Sequence, residues 1–121
     1  MLIGDIGLDN LTGGSGADRF KFNAIAESGA SSTTGDVIVD FSQSQGDRID
    51  LSAIDADTTV DGNQKFHFDA ATGPATGHVG FYRETVSGKT YVFVNNDGDA
   101  DVDMVIVLNG VVDLTAGDFV L

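Results

Sequence analysis

Apolar residues in this chain cluster in short runs of two to five, with polar and Gly-rich stretches between them. Val79–Arg83 and Thr90–Val94 are β-rich runs joined through Ser87-Gly88, which predicts a hairpin. Tyr91, Val92, Phe93 and Val94 are apolar at consecutive positions, so that strand is expected to be covered on both faces. Val102–Leu108 is a second such run, and Asn109-Gly110 marks the turn after it. Asp36–Phe41, Arg48–Leu51 and Lys65–Phe68 read as shorter strands, with a polar turn over Ser42–Asp47. Ser52–Asp57 reads as one helical turn capped by Ser52. Residues 23–35, 57–64 and 70–77 are small and polar and read as loops. Leu114–Leu121 closes the chain with an apolar segment. No stretch of ten residues carries a 3.6-residue period, so the reading is all-β.

The N-terminal part repeats itself. Residues 4–12 (GDIGLDNLT) and 13–21 (GGSGADRFK) align without a gap at a period of nine. Gly falls at block positions one and four, Asp at six, and a large apolar residue, Leu11 or Phe20, at eight. This is the nonapeptide pattern of parallel β-rolls that bind calcium. Glycine permits backbone angles that a Cβ forbids, so the loop can curl with its carbonyl oxygens inward. Asp at position six adds a charged oxygen on a short tether. Ca²⁺ takes about 6–8 oxygens in flexible geometry and suits such a donor set better than Mg²⁺ does. The candidate ligands are the loop oxygens of Gly4, Ile6, Gly13 and Ser15 with the carboxylates of Asp9 and Asp18. The apolar eighth residue lies on the short strand after each loop and points into the roll. Loops nine residues apart fall on opposite sides of the coil, and loops on one side are eighteen apart. Two repeats alone supply half-sites, to be completed by repeats upstream or by downstream Asp residues.

Composition sharpens this picture. The 121 residues are about one domain, long enough for a real core. Six Lys and Arg stand against 19 Asp and Glu, for a net charge of −13, so no nucleic acid partner is expected, because a phosphate-binding face needs clustered Lys and Arg; the charge also opposes docking on anionic lipid. Asp far outnumbers Glu, which occurs only at Glu27 and Glu84, a bias toward turns and short-reach contacts over helix surfaces. Cys is absent, so disulfides and thiolate zinc sites are excluded, and a hard cation is the natural staple. No run approaches the ~20 apolar residues of a membrane helix. Met1 runs into Gly and Asp within five residues, so no cleavable N-terminal leader is expected.

A second acidic cluster spans Asn95–Asp103. Asp97, Asp99, Asp101 and Asp103 alternate as in the first half of an EF-hand loop, but no Glu stands at its twelfth position. It reads as a solvated hairpin turn or as a cation site held by Asp97, Asp99 and Asp101. His67 and His78, the only histidines, have no partner at metal spacing in the sequence. His67, between Phe66 and Phe68, is expected to face solvent, and His78 to open a strand. No G-x-S-x-G and no triad context is present, so no active site is expected.

The roll repeats, DVIVDF at 36–41, GDRIDLSAIDA at 46–56, DVDMVIVLNG at 101–110 and LTAGDFVL at 114–121 together resemble the RTX family, specifically its serralysin-type C-terminal domain. The resemblance covers nearly the whole chain. It implies one domain over 1–121: a short parallel β-roll at 1–22, capped over 23–121 by a mainly antiparallel β-sheet or sandwich. It also implies a bacterial protein secreted to the extracellular space by a type I (ABC) apparatus, with an uncleaved C-terminal signal that includes Asp118, Phe119, Val120 and Leu121. The parent exoprotein would lie upstream. The protease motif H-E-x-x-H is absent, and the roll has two repeats where the family usually has several. Asp40 and Asp47 flank the turn after DVIVDF and are candidates to close the last roll site. Their alternative is a salt bridge to Arg48 or solvation. The function expected is a calcium-binding, non-catalytic cap and secretion module that folds on calcium outside the cell. The competing reading is a calcium-dependent glycan- or surface-adhesion module, to be recognised by exposed aromatics from Tyr82, Phe81 and Tyr91. The open edge of the roll invites pairing with a second copy.

Overall fold

The structure, a computed structural model, describes residues 2–3, 10–23, 28, 35–54, 65–68, 77–96 and 103–121, with backbone alone at 2–3. Its strands are β1 (Leu2–Ile3), β2 (Asn10–Leu11), β3 (Arg19–Lys21), β4 (Asp36–Ile38), β5 (Arg48–Asp50), β6 (His67–Phe68), β7 (His78–Glu84), β8 (Lys89–Asn95), β9 (Met104–Asn109) and β10 (Phe119–Val120). They form a four-stranded sheet, β1-β3-β5-β10, and a six-stranded sheet, β2-β4-β9-β8-β7-β6. Helical turns among the described residues are two short 3-10 segments, Gln43–Gln45 and Ala116–Asp118.

The nonapeptide spacing sets the first coil. Each strand is too short to do more than cross one layer, and the loop after it carries the chain to the other sheet. β1 and β3 therefore pair in parallel with Leu2 opposite Phe20 and Ile3 opposite Lys21, eighteen residues apart. Later coils keep the register across longer excursions. Phe20 lies opposite Ile49, and Leu11 opposite Ile38.

Parallel pairing runs further than residue 22. β9 pairs in parallel with β4, with Ile38 opposite Leu108, and β10 with β5, with Ile49 opposite Phe119. The last two strands are thus further turns of the same roll. The antiparallel part is the β7–β8 hairpin and its pairing to β9. That hairpin closes at Glu84 opposite Lys89 through Thr85-Val86-Ser87-Gly88, and Gly88 takes the left-handed φ of 70° that the turn requires.

One core joins the two sheets. Phe20, Ile49 and Phe119 form a buried row on the first sheet, and Leu11, Ile38 and Leu108 form another on the second. Phe68 of the second sheet meets Phe119 of the first at a ring separation of 5.4 Å. Burial of the Phe119 ring is worth roughly 1.5–3 kcal/mol of transfer free energy. Met104 through Leu108 are all buried, as their unbroken apolar run requires. β8 is less enclosed: Val92 and Val94 enter the core, while Tyr91 and Phe93 are half-buried. Thr90, also buried, anchors the chain after β9. Its hydroxyl donates to the Gly110 carbonyl at 2.9 Å and accepts from the Val112 N–H at 2.9 Å.

Two local expectations change. The strand begun at Asp36 ends at Ile38, because Asp40 turns its carboxylate onto the neighbouring loop. Among the described residues Ser52 caps no helix. Its N–H and hydroxyl both donate to Asp50 Oδ1, at 2.9 and 2.6 Å, and make an Asx turn. Residues 55–57 of that expected turn lie outside the described residues.

Candidate functional site

The second nonapeptide loop, Gly13–Asp18, lies against the Asp40–Asp47 turn. Gly14 and Gly16 take φ of 81° and 92°, so the loop bends where a side chain would be strained. Asp18 immediately precedes β3 and folds back over Gly13. A Cβ built on Gly13 would stand 2.5 Å from Asp18 Oδ2 and 2.9 Å from Asp18 Cβ. Glycine at block position one therefore makes the seat for the carboxylate at position six. Oδ2 of Asp18 is sealed from solvent and has no hydrogen-bond partner among the described residues. The carbonyl oxygens of Gly14 and Gly16, in the same loop, converge on one donor. With its side-chain amide nitrogen facing them, Gln45 reaches these oxygens at 3.3 and 3.2 Å.

Asp40 and Asp47 are built into the same place. Asp40 accepts from the N–H groups of Gly13 and Gly14, at 2.8 and 2.7 Å. Asp47 is 1% exposed and accepts from the N–H of Asp18 at 2.8 Å and of Ser42 at 2.9 Å. The two carboxylates tie the nonapeptide loop to the next turn of the roll. An ionised carboxylate has about four lone-pair sites, so each retains capacity toward a cation. No salt bridge from either to Arg48 is formed among the described residues; the ion pairs there are Arg19–Asp50 and Arg83–Asp113.

These oxygens fit a hard cation. A buried carboxylate oxygen lacking a partner, carbonyls that gather on one donor and a glycine that leaves the carboxylate its seat are what such an ion requires. Gly13, Ser15 and Asp18 lie in this loop as the repeat predicts. Among the described residues no three acidic or histidine side chains come together, so an ion here would draw mainly on carbonyl oxygens. Beside Asp18 opens a hollow of about 380 Å³ lined by Ala17, Asp18, Arg19, Gly46 and Arg48, so cationic groups border the loop on that flank. Gly4, Ile6 and Asp9 of the first loop, and Asp97, Asp99 and Asp101 of the later acidic cluster, lie outside the described residues.

The sequence reading missed Asp36, which occupies the sixth block position. It stands two residues before Ile38, as Asp18 stands before Phe20, and is fully buried. Its N–H donates to the Ser28 hydroxyl at 2.7 Å, and that hydroxyl donates to the Val105 carbonyl. The Gly35-Asp36-Val37-Ile38 spacing was the available signal.

Asp50 holds the adjacent strand pair. Burial works against its charge, but the hydroxyl and N–H of Ser52, with Lys21 and Arg19, outweigh burial and hold its carboxyl below the usual range. Arg19 stands 3.7 Å away. A lowered folded-state pKa gives stability that is complete above the ordinary carboxylate range, near pH ~4, and that fades as pH falls through the lower folded value. Asp50→Asn is expected to lose about 1–3 kcal/mol at pH 7. The gap to wild type should narrow in urea melts below about pH 4. An equal gap at both pH values would contradict this account.

Short strands alternating between two sheets, with Gly/Asp loops at the turns, define a β-roll of the RTX type. The chain belongs to the Peptidase M10 serralysin C-terminal family, whose model matches residues 1–121. This family is the C-terminal unit of those peptidases and not their catalytic one. The solution structures of the AlgE6R2 and AlgE6R3 subunits of the Azotobacter vinelandii mannuronan C5-epimerase are similar in fold. AlgE6R2 is 25% identical, with a TM-score of 0.61, covering 98% of this chain and 68% of the neighbour. AlgE6R3 is 27% identical, with a TM-score of 0.62, covering 98% and 66%. The chain thus spans about two thirds of each neighbour's length. No curated protein matches it by sequence. Among the described residues no helix is long and apolar enough to cross a membrane.

Proposed function

We propose that this chain is a non-catalytic calcium-binding β-roll module of a larger secreted exoprotein, and that it carries the signal for type I export. The observation that carries the reading is the Gly13–Asp18 loop, with its partnerless Asp18 oxygen and gathered carbonyls. Calcium would be held by Asp18 and the carbonyls of the loop, with Asp40 and Asp47 fixing the loop against the next coil. Its chemistry there is charge neutralisation and cross-linking of loops. Within the cell, where calcium is scarce, the −13 charge opposes compaction. Outside, an ion that binds only the folded form stabilises it by RT ln(1 + [L]/Kd), so folding follows export. The C-terminal residues 118–121 would be read by the transporter while the chain is unfolded.

The test is a thermal melt by circular dichroism in EDTA, in Ca²⁺ and in Mg²⁺ at equal ionic strength. At calcium a hundredfold above Kd the gain is about 2.7 kcal/mol, or roughly 10 °C for a domain of this size. Asp18→Ala should remove most of that gain, while Asp113→Ala, at an exposed position, should keep it. Equal shifts with Mg²⁺, or equal calcium responses of the two variants, would refute the loop assignment.

The adhesion reading draws on the neighbours, which are subunits of an enzyme named for mannuronan. The aromatic supply for it is thin. Phe81 is in the core, Tyr91 is half-buried, and Tyr82 is 45% exposed. The export module is therefore the preferred function.

A further inference from the structure

The two histidines of the chain, separated by ten residues in sequence, are neighbours in space. β6 and β7 pair in parallel with His67 opposite His78. The pairing is fixed on both sides: the N–H of His67 donates to the Gly77 carbonyl, and the N–H of Gly77 donates to Asn95, each at 2.8 Å. Strand alternation puts both rings on one face. Phe68 enters the core against Phe81 and Phe119, and Val79 is fully buried, so the residue before each points the other way. The imidazole centres are 5.7 Å apart, with the ring planes inclined at 42°. His67 is exposed and His78 half-buried. The Nδ1 of His78 is sealed from solvent and has no hydrogen-bond partner among the described residues.

Three features of this pair belong together. A ring nitrogen that is neither hydrated nor hydrogen-bonded is costly, and a metal is one of the few partners that would relieve it. With metal–nitrogen distances of ~2.0–2.1 Å, two imidazoles on one tetrahedral ion hold their centres about 5 Å apart. The observed spacing is within reach of that by a small rotation of the exposed His67 ring. The donors are also of the wrong kind for calcium, since imidazole selects borderline divalent ions such as zinc, nickel and copper(II).

We propose that His67 and His78 form a two-histidine site for a borderline divalent transition-metal ion, separate in place and chemistry from the oxygen-lined loops of the roll. Water completes the coordination on the exposed His67 side. Its structural effect is to clip the two-residue edge strand β6 to β7. Nothing in this site depends on the calcium reading, because its residues come from the excursion outside the roll.

The test uses the whole chain in excess Ca²⁺, so that exposed carboxylates and Gly/Asp loops are already occupied. Zn²⁺ is titrated by calorimetry, and Cu²⁺ is added at one equivalent for electron paramagnetic resonance. The expected result is one Zn²⁺ per chain and a copper spectrum split by two nitrogens. His67→Ala, at an exposed position, should leave the far-ultraviolet spectrum and the calcium response unchanged, lower zinc affinity about tenfold or more and reduce the splitting to one nitrogen. His78→Asn should do the same to zinc. Absence of zinc binding, a one-nitrogen spectrum in the wild type, or His67→Ala affinity within twofold of wild type would overturn the site. A calcium response lost with zinc binding intact would instead count against the loop assignment alone.

Discussion

Asp47→Ala is expected to lose on the order of 2–5 kcal/mol of folding stability, a large part of the 5–15 kcal/mol typical of a domain. The residue looks like one more acidic surface position in a chain with many. It is instead 1% exposed, with both oxygens in use by the N–H groups of Asp18 and Ser42. Alanine leaves two part-buried N–H donors without their acceptor, and each such loss costs up to about 1–3 kcal/mol. It also frees the start of β3 from the turn before β5, so the loop that seats Asp18 loses its backing. Asp47→Asn keeps one acceptor oxygen and should fall between the alanine variant and wild type. Urea unfolding in EDTA isolates the effect from any bound ion. A change below about 0.5 kcal/mol, the range of an ordinary surface substitution, would show that these hydrogen bonds do not hold the coil.

Phe119→Ala should cost about 3–5 kcal/mol, as large-to-small changes at buried aromatics do. Phe119 is 6% exposed, stands opposite Ile49 in the parallel β5–β10 pair, and packs on Phe68 of the other sheet. If the terminal segment served only as an export signal, this substitution would leave the folded domain untouched. As the last strand of the roll it joins the two sheets, and its loss opens a cavity between them. Chemical denaturation of Phe119→Ala beside Val86→Ala makes the comparison, since Val86 is 95% exposed at the hairpin turn. Equal midpoints for the two variants would mean that β10 does not carry the core.

What was legible in the sequence was local and periodic. The period of nine puts segments eighteen residues apart on the same side of the coil, and the structure pairs Leu2 with Phe20 at that separation. The unbroken apolar run at Met104–Leu108 announced a strand enclosed on both faces. The Ser87-Gly88 signal located the hairpin turn. Spacing could not show that β9 and β10 resume the roll, because the 51–103 excursion breaks the count that a repeat search relies on. Charge and position mark Asp40 and Asp47 in the sequence, but their backbone partners are set by the neighbouring coil, which no local pattern reports. The histidines looked isolated for the same reason, since strand pairing alone brings them together.

The parallel β4–β9 and β5–β10 pairings also govern how quickly the molecule assembles. Each joins residues about seventy positions apart, Ile38 to Leu108 and Ile49 to Phe119. Loop-closure entropy must be met before those contacts return anything, so folding belongs to the slow, high-contact-order regime of milliseconds to seconds. Meanwhile β4 and β5 present open edges to any neighbouring chain. A net charge of −13 makes such chains repel one another during that interval. The acidity that reads as a taste for cations thus also protects a late-closing fold from aggregation.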